Sequence, residues 1–109
     1  MANIFPIVKD AAVQQVSAGE TWNGLTSRIK CLGSFTLSAP SGVDVAPGTV
    51  VVVANDGSGG AATVTLSPNP FPGANMNAFA IPDNDYGSFM YVDATIGFLP
   101  LGTGDATVA

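Results

Sequence analysis

Residues 49–67, TVVVVANDGSGGAATVTLS, constrain the fold more than any other stretch of this chain. Val50 to Val53 are four consecutive β-branched residues, whose stiff side chains crowd a helix and fit a pleated surface. Asn55, Asp56, Gly57, Ser58, Gly59 and Gly60 tolerate positive φ, and Thr63, Val64, Thr65 and Leu66 then resume with strict alternation. The pattern predicts a hairpin with a long loop. Its return strand has one dry face, carried by Val64 and Leu66. The outgoing valines have two. A strand apolar on both faces is either covered from both sides within its own domain or closed on one side by another chain.

The remaining segments repeat this grammar at spacings of about ten residues. Residues 28–32 alternate with Ile29 and Cys31 on one face and Arg28 and Lys30 on the other, and residues 34–38 alternate with Phe35 and Leu37 facing inward. Phe79 and Ile81 mark a short strand. Residues 87–93 place Phe89, Tyr91 and Asp93 opposite Met90 and Val92, and in GFLPL at 97–101 Pro100 indicates an edge or an end. Residues 11–16 fit a helical turn or a strand equally, residues 21–26 have Trp22 and Leu25 as apolar anchors, and residues 43–45 suit a short edge segment. These elements predict an all-β chain: one compact antiparallel β-sandwich, jelly-roll-like, of seven to nine short strands. The expected limits are an extended N-terminal arm at 1–16, a sandwich at 17–102 and a C-terminal tail at 103–109.

At 109 residues the chain is the size of one domain, able to bury roughly two-thirds of its extended surface in one core. Charged residues make up 10% of it, against about a quarter in a typical soluble domain. Its surface is therefore built of Ser, Thr, Asn, Gly and apolar atoms, which suits a protein covered in an assembly. The net charge is −5, with Lys9, Arg28 and Lys30 the only cations. No basic cluster exists to grip a phosphate backbone, so no nucleic acid is expected as a partner. The opening MANIFPIVKD has neither a basic leader region nor an apolar run long enough to span a bilayer, and no membrane partner is expected.

The residues offer little chemistry. Histidine is absent, which removes the commonest general base, Ser-His triads and most zinc sites. Cys31 is alone, so no intrachain disulfide forms, and it reads as a small buried apolar residue. The GSGG run lacks the Gly-Lys-Ser/Thr ending of a phosphate-binding loop. Asp83, Asn84 and Asp85 lack the spacing and distal Glu of a calcium loop and read as a turn with Asx hydrogen bonds. Trp22 reads as core, with a sugar-stacking site as the rival. No enzyme, cofactor or metal is expected.

Three segments, FTLSAP at 35–40, PGTVVVVANDGSGGAATVTL at 47–66, and residues 87–92 with 97–99, follow one another in an order that resembles a small all-β module of tailed-phage virion proteins. The resemblance spans roughly residues 17–102 and carries over no catalytic residue. It implies a unit found in capsid decoration (cement) proteins and in fibres and spikes, typically as a trimer. A compact body, a front arm IFPIV and a doubly apolar valine strand suit a decoration protein on the capsid surface, made in the host cytoplasm, with the major capsid protein as partner. A tail-fibre, head-fibre or spike module and a carbohydrate-binding adhesin module are the alternatives. The residues expected to make contacts between molecules are Ile4, Phe5, Pro6, Ile7 and Val8 of the arm, Val51 and Val53 of the valine strand, and Phe71 and Met76 of the proline-rich loop.

Overall fold

The computed structural model describes residues 13–56, 60–68, 78–102 and 107–108. The described residues form nine strands and no helix: β1 (Val13–Val16), β2 (Arg28–Cys31), β3 (Phe35–Leu37), β4 (Val50–Asn55), β5 (Ala62–Leu66), β6 (Ala78–Ile81), β7 (Tyr86–Asp93), β8 (Gly97–Gly102) and β9 (Thr107–Val108). They make a five-stranded sheet in the order β1-β2-β4-β7-β8 and a four-stranded sheet in the order β3-β5-β6-β9. One hydrophobic core draws buried residues from both sheets, from Ile29, Val51 and Phe89 on one to Leu37, Val64 and Ile81 on the other.

The two sheets are mixed, which corrects the antiparallel expectation. β1 runs parallel to β2, β2 parallel to β4, and β3 parallel to β5, while β6 to β9 pair antiparallel to their neighbours. The expected hairpin at 49–67 is also corrected, because β4 and β5 lie in different sheets. Their link is an arch, a turn that carries the chain across the core from one sheet to the other. The same step recurs from β2 to β3, from β6 to β7 and from β8 to β9. From β1 it leads to Thr21, which makes an isolated parallel bridge with Thr36 of β3. The body is thus a stack of rungs, each contributing one segment to each sheet. Parallel neighbours become possible without helices because every connection between them visits the opposite sheet.

Hydrogen bonds between turns stitch neighbouring arches together. Leu32 N–H donates to Val16 O (2.8 Å), Asp56 N–H to Cys31 O (3.2 Å) and Asn84 N–H to Asn55 O (3.2 Å). Asn55 is the buried polar residue that closes this end of the core. Its Nδ2 donates to Gly60 O (2.8 Å) across its own arch and to Ile81 O (2.9 Å) at the end of β6. Its main-chain N–H donates to Asp85 O at 2.8 Å. One side chain thereby holds two arches in register, and a buried amide with satisfied donors costs far less than an unpaired one.

Loops close the opposite end. Trp22 is 1% exposed. Its Nε1 donates to Thr26 O (3.0 Å), and its ring meets Phe98 edge-on at 5.8 Å, which in turn meets Tyr91 at 5.4 Å. Leu25, expected as a second anchor, is 78% exposed. Gly24 turns the chain there with φ +78°, and a Cβ at that position would fall 2.8 Å from Val43 Cγ1. Residues 43–45 form no strand, while residues 13–16 of the ambiguous N-terminal segment do. Within the expected C-terminal tail, Thr107–Val108 returns to pair with β6.

Candidate interaction surface

No catalytic constellation emerges from the fold. Among the described residues no three acidic or thiol side chains converge to hold a metal. The Asp83–Asp85 cluster is the arch between β6 and β7, with Asn84 at φ 60° and Asp85 Oδ1 accepting the Tyr86 N–H at 2.7 Å. Cys31 has no exposed surface. Burial pushes its thiol above the ordinary range, the Asp56 carboxylate adds to the rise, and a main-chain hydrogen bond opposes it. A thiol both covered and held protonated is a poor nucleophile. In the native protein a thiol-specific disulfide reagent at pH 7.5 is expected to label Cys31 only at the rate of unfolding; labelling within the mixing time of untreated protein would contradict the burial.

What the chain does present is two sheet faces of different character. On the outside of the four-stranded sheet stand Thr36, Thr63, Thr65, Ala78 and Ala80, all small and mostly hydroxylated. A shallow groove of about 340 Å³ runs beside them, lined by Glu20, Thr21, Ser34, Thr36, Thr63 and Thr65. Glu20 Oε1 already accepts the Ser17 N–H at 2.7 Å, so this carboxylate serves its own turn.

The outside of the five-stranded sheet is apolar. Register places Val50 beside Met90 and Met90 beside Leu99, giving one row across β4, β7 and β8. A second row runs Val13, Arg28, Val52 and Ser88 from β1 to β7, and a third runs Gln15, Lys30, Ala54 and Tyr86. Val13, Val50, Tyr86 and Leu101 are large side chains left exposed. Both described cations, Arg28 and Lys30, point out of this face, and Lys30 Nζ lies 3.5 Å from Asp56 Oδ2.

The predicted contact residues separate accordingly. Val51 and Val53 have no exposed surface, since they occupy the inward positions of β4 together with Asn55. Their place on the outward face is taken by Val50 and Val52, which the sequence reading passed over. A run of four valines carries no parity of its own, but a polar residue needing buried partners at position 55 marks 51, 53 and 55 as one face. Ile4, Phe5, Pro6, Ile7, Val8, Phe71 and Met76 lie outside the described residues. Trp22, as a core residue, offers no ring face to a sugar. Compared with known proteins, the chain matches no family model and no curated sequence.

Proposed function

We propose that this chain is a non-enzymatic virion structural protein, a decoration (cement) protein that binds the outside of a tailed-phage major capsid lattice and stabilises the mature shell. The observation that carries the reading is the apolar outer face of the five-stranded sheet, on a chain with only 10% charged residues. A surface so poor in charge, bearing a continuous row of Val, Met and Leu, is costly to leave in water and gains by being covered. The proposed molecule is a homotrimer whose bodies seal one another and whose arm at residues 4–8 grips neighbouring capsid subunits. It adds to the shell through buried area, with no bond made or broken.

A fibre or spike module is the second reading, favoured by the stacked rungs, since an arrangement that repeats along one axis lends itself to elongated assemblies. The adhesin reading has lost Trp22 as its stacking residue. Counting copies in purified particles separates the first two. Hundreds per particle, together with saturable binding of the isolated protein to shells lacking it, are expected for a decoration protein. A few dozen copies and no shell binding would replace that reading with the fibre.

A further inference from the structure

The two outer faces serve as internal controls for each other. Both belong to the same chain and the same stack of rungs, yet one is finished with Thr and Ala and the other with Val, Met, Leu and Tyr. The threonine face shows what this sequence places toward water. Hydroxylated β-branched residues satisfy a strand as well as valine does, so strand formation does not require Val50, Val52, Met90 and Leu99 to face outward. Directly opposite residues on paired strands approach within about 5 Å, which makes Val50, Met90 and Leu99 one continuous apolar strip.

Charge identifies what fits against this strip. The whole chain carries eight carboxylates and three cations. Arg28 and Lys30 flank the strip on β2, whereas Glu20, Asp44, Asp83 and Asp93 lie in turns and at strand ends. Another copy of the chain thus supplies the complementary charge. A two-fold pairing about the apolar strip would lay β2 over the partner's β8, where Leu101 and Gly102 offer no carboxylate. A head-to-tail contact instead brings the cations onto carboxylate-bearing strand ends. Area favours the same arrangement. Five strands about 4.8 Å apart and some 20 Å long present on the order of 500 Å², short of the roughly 800 Å² per partner of a stable pair. In a closed ring each copy uses this face and a second surface, and the covered area per copy about doubles.

We infer that the outer face of the five-stranded sheet, centred on Val50, Met90 and Leu99 and flanked by Arg28 and Lys30, is the head-to-tail interface between copies of this chain in a closed ring. The inference rests on the homo-oligomer of the proposed function and names the surface that forms it.

Sedimentation equilibrium of the full chain over a range of concentrations tests it, with Val50→Lys and Met90→Lys on this face and Thr65→Lys on the opposite one. The expected results are a wild-type trimer and an unchanged Thr65→Lys trimer. Each variant on the apolar face should raise the dissociation constant about 100-fold, the effect of placing a charge in a buried interface centre. Arg28→Glu should raise it about tenfold and flatten its dependence on salt. Circular dichroism at concentrations where all proteins are monomeric should show the same strand content throughout. A wild-type monomer, a trimer indifferent to Val50→Lys and Met90→Lys, or equal dissociation by Thr65→Lys would each overturn the inference. Shell binding is read separately: a trimer that depends on this face but ignores capsid shells retains the interface and removes the decoration role.

Discussion

Asn55→Asp is expected to destabilise the protein by about 3–5 kcal/mol at pH 7, lowering its melting temperature by roughly 15–30 °C. The substitution changes almost no volume and removes the two donors that reach Gly60 O and Ile81 O. A carboxylate in that position faces two carbonyl oxygens from a buried site, and it escapes the penalty only by taking up a proton. Its native pKa is therefore raised above the ordinary aspartate value. For a carboxyl raised on folding, the penalty is absent below the unfolded-state pKa of about 3.9, where both states are protonated, and grows as pH rises toward the native value. The gap in unfolding free energy between wild type and Asn55→Asp should accordingly narrow from pH 7 to pH 4. Urea melts at the two pH values measure it; an equal gap at both would mean that the side chain does not donate to these carbonyls.

Trp22→Ala should cost a similar amount, about 3–5 kcal/mol, because it empties a fully covered site beside Phe98 and Tyr91. Trp22→Phe keeps much of the ring and loses the bond from Nε1 to Thr26 O, so a smaller loss near 1–2 kcal/mol is expected from it. As the only tryptophan in the chain, Trp22 also reports on itself. Native emission should be blue-shifted and protected from acrylamide, then shift to the red in a single transition on unfolding. Emission already red-shifted in the native protein would place the indole in water, where a sugar could stack on it.

The strands themselves are legible in the sequence wherever a short segment alternates. Ile29 and Cys31, Phe35 and Leu37, Val64 and Leu66, and Phe89 and Tyr91 all fall inward as their spacing predicts. Sheet membership is not legible in this way. A hairpin and an arch are both strand, turn, strand, and the difference lies in whether the two strands pair with each other or with partners farther along the chain. Residues 55–60 supply turn formers suited to either. The clue that favours an arch is Asn55, inward in register with Val51 and Val53, where a hairpin lining a core would place another apolar residue. The interaction face was hidden for a related reason. Val50 to Val53 satisfy both faces equally, and the outward set emerges only once Met90, Leu99 and Tyr86 are brought alongside. Leu25 misled because an apolar residue near a buried tryptophan resembles a second anchor, whereas the loop around Gly24 turns it outward.

The route of the chain through its arches has a mechanical side. In a meander, tension at one end can peel the outermost strand away by breaking a single ladder one bond at a time. Here β2 continues directly into β3 and β4 into β5, so dragging a strand out of one sheet also loads its sequel in the other, and the two ladders share the force. Rupture requires both to shear nearly together, which gives a body of this size a stiffness that its few charges and single small core would not suggest.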